Sequence, residues 1–131
     1  MILTSEQAYA IRAVHALSGM EKKTVKDVCN NENMPIDFAY KILKKLERAG
    51  IVRSILGRKG GYLLVKQPNI ISLSDILLAV DEDLFVKKCS KRGIPCENCG
   101  DKDHCLLHET IGKLQNIMFD VFKEKTIDML M

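Results

Sequence analysis

The sequence predicts a mainly α-helical fold with one small β-hairpin and a long C-terminal helix. Three observations support this fold class. Apolar residues recur at helical spacing in several segments, two short β-prone runs flank a glycine-rich stretch, and the last apolar repeat extends from about residue 105 to residue 125. With 131 residues, 47% of them hydrophobic and 28% charged, the chain is long enough to bury one core.

Capping residues and turn signals predict the first three helices. The first runs from Ser5 to about Leu17, and Thr24 caps a short second helix. The third begins at Pro35 or Asp37 and ends before a glycine at position 50. It is predicted to turn its basic residues outward and to bury four apolar residues, namely Phe38, Ile42, Leu43 and Leu46.

A β-hairpin is predicted next, with strands over 51–55 and 62–65. The connection between them is rich in glycine and carries Arg58 and Lys59. Such a tip has few apolar side chains to bury and carries two positive charges, so we expect it to contact an anionic partner.

Two further helices are predicted after the hairpin. Ser72 or Ser74 caps a helix that reaches Val80, and the final helix follows the cysteine-rich stretch. The final helix repeats apolar residues with alternating steps of four and three, at Leu107, Ile111, Leu114, Met118 and Val121. A helix with so wide an apolar surface must pack against its own domain and a second surface, which predicts homodimerisation.

Positive charge is concentrated in one stretch of a chain whose net charge is only +3. Residues 35–66 contain eight basic residues and two acidic ones. This distribution is typical of a protein that binds a phosphate backbone, although a solvated lysine-rich helix face would give the same pattern.

The order of helix, helix, recognition helix and hairpin is that of a winged helix-turn-helix. In such a domain the third helix enters the major groove of DNA and the hairpin, or wing, reaches neighbouring phosphates. The candidate DNA contacts are Asp37, Tyr40, Lys41, Lys44 and Lys45 on the helix, with Arg58 and Lys59 on the wing. A winged helix can also serve as a protein-interaction module.

Four of the five cysteines lie between residues 89 and 105. The chain shows no secretion signal and no transmembrane run, so we expect a reducing, cytoplasmic location in which clustered cysteines bind metal or sense redox state. Thiolates select zinc, copper(I) and iron–sulfur clusters. The candidate ligands are Cys89, Cys96, Cys99, Cys105 and His108, whereas Cys29 is interpreted as a core residue.

The spacing of the cysteines leaves the cofactor open between three alternatives. Four thiolates in one loop are sufficient for an iron–sulfur cluster of unknown nuclearity. Cys96 and Cys99 have the spacing of a zinc knuckle, but a second such pair is missing. A thiol or disulfide switch without metal is the third alternative. Cys105 begins a predicted helix, whose dipole favours a thiolate in every case.

Several stretches resemble the IscR/NsrR/RirA family of bacterial transcription regulators. They are LTSEQAYAIRA, FAYKILKKLERAGIV, SILGRKGGYLL and LSDILLAVDE, and the most specific motifs are G-x-x-G-G-Y and C-x5-C-x2-H. The resemblance implies a dimer with an iron–sulfur cluster on Cys89, Cys99 and Cys105, with His108 as a possible fourth ligand. The set of four thiolates taken alone offers Cys96 as the fourth ligand instead. It also implies that the state of the cluster alters binding to promoter DNA.

The chain departs from that family at two positions. Tyr40 stands where an IscR-like recognition helix carries a glutamate, so the operator preference cannot be carried over. Ala8 stands in the region where some relatives recruit an acidic ligand from the partner subunit.

The sequence therefore predicts a DNA-binding regulator that senses iron–sulfur status, redox state or nitric oxide. The expected organisation is a DNA-binding domain over 1–80, a cysteine-rich loop over 81–105 and a dimerisation helix with its tail over 106–131. The alternatives are a regulator with structural zinc or a thiol switch, and a metal-carrying protein-interaction module. No arrangement of nucleophile and base, phosphate-binding loop or paired carboxylates is present, so an enzyme is not expected.

Overall fold

The structure is a computed structural model that describes residues 4–81 and 105–130. Its elements confirm the predicted fold class of a mainly helical chain with one hairpin. They are α1 (Ser5–Ala16), α2 (Val25–Glu32), α3 (Ile36–Arg48), β1 (Val52–Ile55), β2 (Gly61–Leu64), α4 (Leu73–Val80) and α5 (Leu106–Glu124). Short 3-10 helices lie at Pro68–Ile70 and Ile127–Leu130.

Local capping starts three of these helices. Thr4, Thr24 and Ser72 each form a capping box, in which the hydroxyl accepts from the backbone N–H three residues on, and the side chain there accepts in return. The predicted caps of α2 and α4 are confirmed, while α1 is capped by Thr4 one residue earlier than expected. In α2 the side-chain hydrogen bond to Thr24 lowers the pKa of Asp27, which holds that carboxylate charged at the helix N-terminus.

One hydrophobic core lies between α1, α3 and α4, and β1 and β2 each contribute a buried residue. Its fully buried large side chains include Leu17, Ile42, Leu43, Leu46, Leu64, Ile71 and Ile76. The prediction that Phe38 is buried is wrong, because its side chain is 41% exposed. Its ring lies 5.7 Å from the ring of Tyr9, at the edge of the contact between α1 and α3.

The hairpin is fastened to the loop between α1 and α2. β1 and β2 are antiparallel, and Tyr62 also pairs with Lys23 through two backbone hydrogen bonds of 2.8 and 2.9 Å. A Cβ atom at Gly61 would lie 2.6 Å from the Lys23 carbonyl oxygen, so this close approach requires glycine. The hairpin is thereby held to the helical body close to its turn, since Tyr62 belongs to the second strand pair from the turn.

Glycine is also required in the hairpin turn. Gly57 has φ +109°, and its carbonyl accepts from the Gly60 N–H at 3.0 Å. We expect Gly57→Ala to lower the free energy of unfolding by about 1–3 kcal/mol, because an L side chain is strained at this φ. Gly19→Ala is the matched control, since Gly19 has neither a positive φ nor an atom near its Cβ position. Urea denaturation of both variants measures the difference, and equal stability would contradict it.

The chain returns to the core after α5. The Leu73 N–H donates to the Lys125 carbonyl at 2.8 Å, and the Ile127 N–H donates to the Ile71 carbonyl at 3.0 Å. Ile127 is buried. The C-terminal end of α5 is therefore attached to the segment that precedes α4. In the part of the chain that the structure describes, no helix has the length and apolar character needed to cross a membrane.

Candidate nucleic-acid interface and metal ligands

The recognition helix α3 separates its residues cleanly into two sides. Ala39, Ile42, Leu43 and Leu46 are fully buried against the core. The candidate DNA contacts Asp37, Tyr40, Lys41 and Lys44 are exposed on the other side, and the tyrosine ring is 51% exposed. α3 thus presents basic, aromatic and acidic groups that can reach base edges and phosphates.

The wing tip carries the second group of candidate contacts. Arg58 and Lys59 are exposed beside the Gly57 turn, and Leu56 is 93% exposed. The Lys22 ammonium donates to the Lys59 carbonyl, which adds a second tether between the tip and the α1–α2 loop. These side chains therefore project from a turn that two neighbouring contacts hold to the α1–α2 loop.

Lys45 differs from the other basic residues of α3. Its Nζ donates to Glu6 Oε1 at 2.6 Å and to the Val80 carbonyl at 3.1 Å, and its side chain is 29% exposed. Lys41 Nζ lies 3.9 Å from the same Glu6 oxygen but its side chain is 62% exposed. The predicted DNA contact of Lys45 would require its ammonium to leave both partners.

Sequence reasoning missed Glu6 and its neighbour Gln7 as parts of this arrangement. Gln7 Nε2 donates to Asp81 Oδ2 at 3.3 Å, so adjacent residues of α1 hold the end of α4 and the recognition helix. The Thr4–Gln7 capping-box spacing could have indicated that Gln7 is structurally fixed. No local sequence pattern predicts that Gln7 contacts Asp81 or that Glu6 contacts Lys45.

Two of the predicted metal ligands lie at the start of α5. Cys105 is its N-cap residue, and its Sγ accepts from the His108 N–H at 3.4 Å. His108 Nδ1 is buried and has no hydrogen-bond partner among the described residues. A buried imidazole nitrogen without a partner, one helical turn from a thiol at a helix N-terminus, fits a metal or cluster ligand.

The other predicted ligands, Cys89, Cys96 and Cys99, lie outside the described residues. Within residues 4–81 and 105–130, no group of three or more histidine, cysteine or carboxylate side chains is placed to hold a metal ion. Cys29 is half-buried on α2, and burial raises the pKa of its thiol. It packs against the core as predicted, in surroundings that disfavour a thiolate.

The apolar repeat of α5 is largely uncovered within the single chain. Leu107, Leu114 and Val121 are 53%, 47% and 47% exposed, and Ile117 is 62% exposed. Soluble proteins rarely leave so many neighbouring large apolar side chains in contact with water. This apolar repeat, called the apolar seam of α5 below, therefore has the character of a surface that a partner covers.

The fold is that of a winged helix-turn-helix protein, with α3 in the position of the recognition helix and the hairpin in the position of the wing. The chain belongs to the Rrf2 family, whose model is described as an iron-dependent transcriptional regulator and matches residues 3–131. Membership of a transcription regulator family implies that this protein binds DNA.

Relatives and solved structures agree with this assignment. The chain is similar to IscR of Pectobacterium atrosepticum, with 31% identity over 133 residues that cover 99% of this chain and 79% of the relative. IscR of Vibrio cholerae is 29% identical over 134 residues, covering 100% and 75%. In fold, the chain resembles T. potens IscR (TM-score 0.74, 18% identity, covering 98% and 84%) and the oxidised form of Staphylococcus aureus CymR (TM-score 0.74, 19% identity, covering 99% and 95%).

Proposed function

We propose that this protein is a homodimeric transcription regulator whose affinity for promoter DNA depends on an iron–sulfur cluster bound by its cysteine-rich segment. Cys89, Cys99 and Cys105 are the proposed ligands, with Cys96 or His108 as the fourth. The observation that carries the proposal is the buried Nδ1 of His108, one turn after Cys105, which has no hydrogen-bond partner among residues 4–81 and 105–130. The relatives named IscR support an iron–sulfur group over structural zinc.

The chain's own residues supply both parts of this function. The thiol of Cys105 lies at the N-terminus of α5, where the helix dipole favours the thiolate that a cluster requires. When bound, the cluster would supply a redox-sensitive and oxygen-sensitive group. α5 starts at this ligand and ends against the segment before α4, so it connects the cysteine segment with the DNA-binding body.

The cofactor is tested by purification without oxygen. We expect visible absorbance together with stoichiometric iron and acid-labile sulfide, lost on exposure to an oxidant. A colourless protein that contains only zinc would contradict the iron–sulfur proposal and leave DNA binding intact. A colourless protein without metal, in which two cysteines become oxidised reversibly, would support a thiol switch instead.

For DNA, we propose that Asp37 and Tyr40 of α3 contact base edges in the major groove and that Lys41 and Lys44 of α3 contact the phosphates beside it. Arg58 and Lys59 of the wing are proposed to contact phosphates or the minor groove. All six are exposed, and they lie on α3 and on the turn of the wing, the two elements that this fold directs at a duplex. Tyr40 is about half exposed and is not part of the hydrophobic core, so its ring is free to contact a base.

Salt titration tests the phosphate contacts. We expect Lys44→Met and Arg58→Met each to lower the magnitude of the slope of log K against log salt by about 0.9 per subunit, because each subunit loses one phosphate contact. The probe is a duplex that the wild-type protein enriches from random sequences. Lys113→Met is the control, since Lys113 is exposed on α5 and pairs with Glu109 at 2.9 Å. Binding that does not respond to salt would favour the protein-interaction module.

A further inference from the structure

We propose that Lys45 is a positioning residue and not a DNA contact: with Glu6, it fixes the recognition helix against α1 and the end of α4. This inference rests on the proposed use of α3 as the DNA-reading helix. The ammonium of Lys45 has two oxygen partners, at 2.6 Å on Glu6 and 3.1 Å on the Val80 carbonyl. One side chain of α3 therefore joins three helices.

Partial burial makes this link more effective than an exposed ion pair. The side chains of Lys45 and Glu6 are 29% and 24% exposed, and both partners lie where the helices already pack. An exposed pair competes with water and contributes little, whereas a shielded, charge-assisted hydrogen bond is shorter and stronger. Lys44, the next residue on α3, is exposed and serves as its natural comparison.

The link leads to the point where α4 ends. Val80 is the last residue of α4, and the following Asp81 accepts a hydrogen bond from Gln7, the neighbour of Glu6. Two adjacent residues of α1 thus hold the end of α4, one directly and one through Lys45. Because these hydrogen bonds form a continuous link, we expect a displacement of this end to change the position of α3 relative to α1. Base contacts by a helix in the major groove depend on that position.

The proposal predicts a loss of specific DNA affinity without the loss of a phosphate contact. We expect Lys45→Met and Glu6→Gln each to weaken binding to the enriched duplex by about tenfold, since coupling within such a pair is of that order. Both should keep the wild-type salt slope and the wild-type affinity for random DNA. The double variant should lose no more affinity than either single variant, because the two residues act as one unit.

Lys44→Met is the matched control on the same helix. It should lower the magnitude of the salt slope and weaken binding to the enriched duplex and to random DNA equally. The proposal is overturned if Lys45→Met lowers the magnitude of the salt slope by about one unit per subunit while Glu6→Gln binds as wild type, since Lys45 would then contact phosphate. Wild-type affinity in both variants also overturns it. Thermal unfolding shows whether Lys45→Met is folded. If it is not, the DNA affinity of Glu6→Gln alone tests the proposal, because glutamine keeps an oxygen acceptor for Lys45 and removes only the charge. A wild-type protein that enriches no duplex would instead refute the proposed DNA contacts themselves.

Discussion

Replacing Cys105 with alanine is expected to remove the iron–sulfur cluster completely. Cys105 belongs both to the three cysteines that the family resemblance implies and to the set of four thiolates in the segment. It is also the N-cap of α5, where its sulfur accepts a hydrogen bond from the His108 N–H. A cluster that loses this thiolate loses a cysteine ligand on which both proposed ligand sets depend. Absorbance with iron and sulfide content, measured without oxygen, reports the loss.

Cys29→Ala is the control for that experiment. Cys29 is half-buried in the core side of α2, and burial raises the pKa of its thiol, so its removal should leave the iron content unchanged. Full iron content in Cys105→Ala would contradict the proposed ligand set. Changing the other cysteines in turn separates the alternatives: a cluster retained in Cys96→Ala and lost in Cys99→Ala supports the set implied by the family.

Leu114→Glu is expected to convert the dimer to a monomer and to weaken promoter binding by at least about 100-fold, the order lost when two linked binding modules become independent. Leu114 lies in the middle of the apolar seam of α5 and is 47% exposed in the single chain. Placing a carboxylate there leaves the chain's own core intact but buries an unpaired charge if a second copy covers the seam.

Asn116→Glu is the matched control on the same helix. Asn116 is exposed and lies two residues from Leu114, so its side chain points to a different side of α5. Sedimentation measurements should show a dimer for the wild type and for Asn116→Glu, and a monomer for Leu114→Glu. If Leu114→Glu remains a dimer that binds DNA normally, the seam is not the dimer interface.

Local chemistry explains which parts of the fold could be predicted from the sequence. The caps at Thr24 and Ser72 depend on residues three positions apart, and the turn depends on Gly57, so short patterns were sufficient. The exposed side of α3 followed from its helical period. In the candidate site, the position of Cys105 at the start of α5 was predicted for the same reason.

Contacts between distant segments could not be predicted in this way. Glu6 and Lys45 are 39 positions apart, and no spacing rule relates them. The return of the chain after α5 depends on backbone hydrogen bonds with Ile71 and Leu73, which carry no side-chain signal. Phe38 has the right period for the core but lies at its edge, where only the packing of α1 against α3 decides its exposure.

The pairing of Lys23 with Tyr62 has a consequence for how the protein opens. Each of these two residues donates its amide to the carbonyl of the other, at 2.9 and 2.8 Å. The hairpin cannot separate from the α1–α2 loop without breaking both hydrogen bonds together. The two amides therefore belong to one cooperative unit with a common opening free energy, and hydrogen exchange at both should slow by the same factor when DNA holds the wing.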